Sequence, residues 1–287
     1  MPYIHYAGAA DVWKHLSLCS FLKNESPRTY VETNSAFPRY ALERTDTQEY
    51  GVYTFFENAS RIPLLLHVPY YQEIAKLNAG NSQLTSYLGS PGLAMKSLAD
   101  ISEEFVFFDI EQEPLEQCLE YANELGIGSK VKVRLEDSVD GVFSLLPALS
   151  SKDFIHFDPY EMWYKSGDID YADVFVEATR RGIKCMVWYG FHTLQEKQRV
   201  YEFFSQKLKK LQGHDIRCVE MIMDIIKETE IRVDPRIIGS GILISNLTRR
   251  SFSDLDKFSD ALVGVYKDTF FRGSPGGLYK EEVFFNK

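Results

Sequence analysis

The sequence predicts an α/β fold: a mostly parallel sheet covered by helices, with an antiparallel pair at one edge and a small helical insertion. Three observations predict it. Short apolar, β-rich runs alternate with amphipathic helical stretches through most of the chain, the pattern of parallel strands joined by crossover helices. In the C-terminal third two apolar runs follow one another with an irregular segment but no convincing crossover helix between them, so they are expected to pair antiparallel. The chain has 287 residues, 45% hydrophobic and 25% charged, which suits one large globular domain carrying an insertion rather than a disordered or fibrous chain.

The first helix is expected over residues 11–22, with Asp11 as its N-cap. Thr29-Tyr30-Val31-Glu32 reads as the first strand and Phe105-Val106-Phe107-Phe108-Asp109 as the second. A helix over 114–125 follows, stopped by Gly126 and Gly128. Val131-Lys132-Val133-Arg134-Leu135 is the third strand, Phe154-Ile155-His156-Phe157-Asp158 the fourth and Cys185-Met186-Val187-Trp188-Tyr189 the fifth. Helices over 171–181 and 194–211 flank the fifth strand, residues 216–223 and 239–245 form the antiparallel pair, and a last helix covers about 253–266, before a tail rich in glycine and aromatics. Residues 41–88 break the alternation and read as two or three short helices, a cap inserted after the first strand. The expected division is therefore 1–40 with 89–287 as the core and 41–88 as the insertion. Five parallel strands followed by an antiparallel pair is the order of a class I methyltransferase (Rossmann-like) core, but strand order alone does not give function.

Several classes are excluded. No apolar run approaches the roughly 20 residues of a membrane span. The N-terminal residues lack the basic flank and apolar stretch of a signal peptide, so the expected location is the cytoplasm. Cys19, Cys118, Cys185 and Cys218 are widely spaced, without a CxxC pair, and read as isolated buried thiols rather than a disulfide framework or zinc site. The formal charge of −9 disfavours RNA or DNA as a partner, since nucleic-acid binders gain affinity by neutralising phosphates.

Ligands of open α/β sheets sit outside the carboxyl ends of the strands. Four such ends carry an acid here: Glu32, Asp109, Asp137 and Asp158. A nucleoside presents hydroxyls and an exocyclic amine, for which acceptor-only carboxylates are suited; Asp109 would accept from a ribose diol and Asp137 would sit near an adenine ring. Acids at these positions also serve as turn formers and helix caps, so each has a structural reading beside the functional one.

At this point the sequence resembles the RlmJ-type bacterial large-subunit rRNA adenine N(6)-methyltransferases. The resemblance is carried by Tyr6-Ala-Gly-Ala-Ala-Asp-Val-Trp-Lys-His15, Gly89-Ser-Pro91, Asp158-Pro-Tyr-Glu-Met162, Trp188-Tyr189 and Gly239-Ser-Gly-Ile-Leu-Ile-Ser-Asn246, in family order over most of the chain. It implies an S-adenosylmethionine-dependent N-methyltransferase acting on an adenine amine of rRNA, with no metal. By the same resemblance Lys14, His15, Glu32, Asn34, Ser90, Asp109 and Asp137 line the cofactor pocket, Asp140-Gly141 being a rival match for Asp137. Asp158, Pro159 and Tyr160 match the family's Asp-Pro-Pro-Tyr catalytic motif, in which a carboxylate and a proline carbonyl accept the amine's N–H bonds and the aromatic stacks on a flipped base.

Two departures stand out. The family's first-strand loop, Asp-Thr-His-Ala-Gly-Ala-Gly-Arg-Tyr, reads here Glu32-Thr-Asn-Ser-Ala-Phe-Pro-Arg-Tyr40, with both glycines replaced, so that Phe37 and Pro38 could narrow the pocket. The motif at Asp158 has one proline where the family has two. Two further functions therefore stand beside the first: methylation of a small molecule or a protein group, and a non-catalytic binding protein on the same fold. Trp163-Tyr164 and the stretch Trp188 to His192 could ring the pocket mouth or simply pack a strand end. Lys207-Leu-Lys-Lys210 is a compact basic cluster that a solvated helix face also explains, and Gly273-Ser-Pro-Gly-Gly277 lacks the flanking strand and helix of a phosphate loop.

Overall fold

The protein is described here by a computed structural model covering residues 6–223, 237–271 and 274–285. Its first element, α1 (Ala9–Glu25), is buried almost all round, as a helix apolar on every side must be. Its N-cap is Gly8 and not Asp11: Asp11 stands at the third helical position, and its carboxylate accepts the Gly8 N–H at 3.3 Å. Acids favour either place, because both satisfy an orphan donor at the positive end of the helix.

From there the chain runs through β1 (Thr29–Glu32) and a small ladder of β2 (Arg39–Ala41) with β3 (Ser86–Leu88). Between β2 and β3 lie Asp46–Gln48, a π-helical turn over Glu49–Tyr53, and the short helices α2 (Thr54–Ala59), α3 (Pro63–Leu66) and α4 (Pro69–Leu77). Next come α5 (Ser90–Leu98), β4 (Glu104–Asp109), α6 (Gln112–Glu124), β5 (Val131–Leu135), α7 (Ser138–Leu145) and β6 (Phe154–Phe157). The last part is α8 (Tyr171–Arg180), β7 (Lys184–Phe191), α9 (Leu194–Leu208), β8 (Ile216–Met223), β9 (Gly239–Ser245), α10 (Arg249–Tyr266) and β10 (Leu278–Val283).

The main sheet has the order β10-β8-β9-β7-β6-β1-β4-β5. The five strands from β7 to β5 are parallel, and β9 runs antiparallel to both β7 and β8. This is the class I methyltransferase order with one addition. The expected antiparallel pair forms, but it is not the edge: the tail supplies β10, which pairs antiparallel with β8. Leu278-Tyr-Lys-Glu-Glu-Val is too charged to read as a strand in isolation, yet charges are what an edge strand tolerates on its open side. Helices α5 and α7 were also not anticipated, each being short and beginning next to a strand end. The irregular segment expected between β8 and β9 lies, over 224–236, outside the described residues, as do residues 1–5 and Gly273 of the glycine-rich tail.

Two apolar layers sandwich the sheet. On one face α1, α5, α6 and α10 pack with Phe55, Tyr70 and Ile74 of the inserted helices in one continuous cluster. On the other, Val139, Phe175 and Phe204 of α7, α8 and α9 cover Val31, Ile155 and Val187. All four cysteines are buried free thiols. Lys207 is absorbed by Asp170 and Asp173 rather than left free in a basic patch.

Where β9 crosses β7, Gly241 lies opposite Tyr189, whose buried hydroxyl donates to Glu220 at 2.7 Å. A Cβ at Gly241 would come within 2.1 Å of the Tyr189 ring, which has no room to retreat. Gly241→Ala is expected to lower stability by about 1–3 kcal/mol in urea titration, the usual cost of overpacking a filled core.

Candidate functional site

A cavity of about 1120 Å³ opens at the carboxyl ends of the parallel strands, between the first half of α1, the loop after β1, and the start of β9. Nine of the ten site residues expected from the sequence line it: Lys14, His15, Asn34, Ser90, Asp109, Asp137, Asp158, Pro159 and Tyr160. They come from six separate elements and loops, so the fold alone brings them together.

The floor is built on α1. Lys14 Nζ lies 2.8 Å from Asp158 and 3.3 Å from Asp11, and sits 4.7 Å from the centre of the Trp188 ring. Burial works against the ammonium, but the Asp158 and Asp11 carboxylates outweigh it and hold Lys14 above the ordinary lysine range. Burial likewise raises Asp11 above the usual carboxylate range, with Lys14 opposing. The adjacent His15 bonds Tyr87 through Nδ1 at 2.7 Å, and its Nε2 has no partner among the described residues. Burial, with Lys14 alongside, pushes this imidazole well below the usual histidine range, so it is neutral.

The loop after β1 closes one wall. Asn34 and Ala36 both have positive φ, 52° and 55°, in the left-handed region. Ala36 stands where the family has the first glycine, so the backbone conformation that glycine favours is retained by a residue with a Cβ. The Ala36 N–H donates to Asp109 Oδ2 at 3.1 Å, and the Glu111 N–H donates to Oδ1 at 3.0 Å. Asp109 is thereby aimed at the rim. Asn34 Oδ1 accepts from Ser138 (3.1 Å) and Tyr171 (2.8 Å), tying the first loop to the third.

Phe37 and Pro38 do not plug the hollow. The turn packs outward against the start of α5, where Gly89 and Gly92 make room for it: a Cβ on either would lie 2.1–2.2 Å from the Pro38 or Phe37 carbonyl oxygen. Glycine at both positions lets the backbone of the turn approach α5 closely. Ser90, just after Gly89, lies in the first turn of α5 at the cavity wall.

Asp137 is the N-cap of α7, accepting from the Val139 N–H at 2.8 Å, and its other oxygen accepts from Tyr164. Its structural role is thus visible, and it still faces the cavity. After β6, the Asp158 N–H donates to Thr33 Oγ1 at 2.9 Å, Pro159 is buried, and Tyr160 is 87% exposed at the rim. Trp163, Tyr164, Trp188 and His192 also line the cavity; His192 is paired with Glu196.

Glu32 departs from expectation. It does not line the cavity but is fully buried below it, accepting from Tyr30 at 2.8 Å and lying 3.4 Å from His156 Nδ1. Strand alternation explains this: β1 is buried on both faces, so its last side chain points into the sheet's helical cover. Sequence reasoning missed Thr33, Ser138 and Tyr171, which position the loops; short polar residues after strands give no signal that separates them from ordinary turn formers.

No family model matches the chain. It is similar to Ribosomal RNA large subunit methyltransferase J of Haemophilus influenzae, at 27% identity over 69% of this chain and 72% of that protein. The crystal structure of protein LPL1258 from Legionella pneumophila superposes with a TM-score of 0.74 at 22% identity, covering 97% of this chain and 98% of that one, and shares the fold. The similarity to methyltransferase J agrees with the resemblance read from the sequence, and the superposition bears out the fold.

Two outcomes are expected. His15 is neutral in the folded chain, whereas its unfolded counterpart takes up a proton below about pH 6.5, so stability falls on the acid side and is unaffected by this group above it. The slope is about 1.4 kcal/mol per pH unit for one such group; thermal melts of His15→Gln across pH 5–8 should lack it, and an unchanged slope would refute the assignment. Ala36→Gly should raise stability by about 0.5–1 kcal/mol, because relief of left-handed strain exceeds the added chain entropy; a lower midpoint in the same melts would contradict that.

Proposed function

We propose that the chain is an S-adenosylmethionine-dependent N-methyltransferase, with the cofactor along the ends of β1, β4 and β5 and the acceptor amine at Asp158. One observation carries this reading: nine expected residues, scattered from position 14 to position 160, share one open cavity. The residues fit the cofactor. Asp109 faces the rim beside the Ala36 N–H and suits a ribose diol; Asp137 and Asn34 flank the next position, and the unpartnered His15 Nε2 and Ser90 offer polar contacts for the other end. When bound, the sulfonium supplies the electrophilic methyl group.

The protein's own part is positioning and charge. Lys14 anchors Asp158 from beneath through one oxygen, which leaves the carboxylate free lone pairs for an amine N–H. The Pro159 carbonyl is the second acceptor, and localising the amine lone pair toward the methyl raises its nucleophilicity. Tyr160, exposed at the rim, is the stacking ring for the acceptor. By resemblance the acceptor is an adenine amine of rRNA. A second reading, a small phosphate-free amine, is favoured by the lining, which among the described residues holds seven carboxylates and one lysine.

Calorimetry with S-adenosylhomocysteine tests the first part, and methyl transfer from labelled cofactor to rRNA and to a low-mass cell extract tests the second. Asp109→Asn should weaken S-adenosylhomocysteine by about 10- to 100-fold, the loss of a charge-assisted hydrogen bond. Asp158→Asn should leave that affinity within about threefold while lowering transfer by about 100-fold or more. Equal loss of binding in both variants would defeat the division of roles.

A further inference from the structure

Three buried polar atoms on cavity-lining residues have no hydrogen-bond partner among the described residues. They are His15 Nε2, Trp188 Nε1 and the hydroxyl of Ser240, which is 1% exposed and lies at the start of β9. A buried hydroxyl left unpaired is unfavourable and uncommon, so its presence on a cavity wall marks a place where a ligand supplies the bond.

Ser240 belongs to a different part of the cavity from Asp109 and Asp137. In the ladders it lies opposite Gly190 of β7 and Met221 of β8, so these three share a face with Trp188, two residues back along β7. Lys14 bridges from the Trp188 ring to Asp158. Trp188 therefore connects Ser240 to the reacting end of the site. Met221, Met223 and Leu278 line the same arm, which makes it apolar apart from the Ser240 hydroxyl and the Trp188 indole N–H.

The charge of the cavity limits what can enter. Among the described residues seven carboxylates line it, Asp109, Glu111, Glu161 and Glu196 included, and the one lysine there is already paired with Asp11 and Asp158. A phosphate brought inside meets like charge, with no free cation among the described residues to answer it. An uncharged ring meets apolar walls and two hydrogen-bonding groups, the Ser240 hydroxyl and the Trp188 indole N–H.

Resting on the methyltransferase reading, we propose that the arm bounded by Trp188, Met221, Met223, Leu278 and Ser240 is the acceptor subsite, that it selects an uncharged, phosphate-free ring bearing an amine, and that Ser240 is the specificity-determining hydrogen-bonding residue. Met221 and Met223 are suited to a flat ring, since thioethers adapt to a planar surface.

The test uses the full chain saturated with S-adenosylhomocysteine, titrated calorimetrically with adenosine and with adenosine monophosphate as probes. Adenosine should bind, and the monophosphate at least about tenfold more weakly at low salt. Ser240→Ala should weaken adenosine by about threefold to tenfold, one neutral hydrogen bond, and leave S-adenosylhomocysteine affinity unchanged. Equal or tighter binding of the monophosphate, no adenosine binding, or an unaltered adenosine affinity in Ser240→Ala would each overturn the proposal. Failure of S-adenosylhomocysteine to bind at all would instead overturn the methyltransferase reading on which it rests.

Discussion

The buried ion pair between Lys14 and Asp158 is the constraint on which the site depends. An ammonium taken out of water must be paired, and this one is answered by two carboxylates and an aromatic face. The partners lie 144 residues apart. Their contact fixes the depth at which α1 crosses the end of the sheet, and so places His15, Trp188 and the motif after β6 around one hollow. Removing Lys14 would leave two carboxylates facing each other without their cation, which makes the pair a determinant of geometry as much as of chemistry.

A second constraint is close backbone approach. The turn after β1 has lost the glycines of its relatives, yet the left-handed conformation at Ala36 persists and the hollow stays open. Gly89 and Gly92 at the start of α5 let the Phe37 and Pro38 carbonyl oxygens lie where a Cβ would otherwise stand. A substitution that looks disabling in the loop alone is compatible with a cofactor pocket once both surfaces are considered.

Among the described residues the lining of the cavity is acidic. A sulfonium cofactor is favoured near carboxylates, so an acidic hollow suits S-adenosylmethionine itself. The same field acts against phosphates, and the overall charge of −9 has the same sign.

Much of this was legible in the sequence. Strands such as Val131–Leu135 and Ile216–Met223 announce themselves because apolar period and length are local properties, and Asp109 and Asp158 could be named because sheet physics puts ligands at strand ends. Tertiary structure decided the rest. That Glu32 turns inward to Tyr30 and His156, that the charged tail Leu278–Val283 closes the sheet edge, and that Lys14 pairs with Asp158 are outcomes of long-range register and burial. A residue's type sets what it can bond to; only the packed chain determines which partner is within reach and whether water is there to compete.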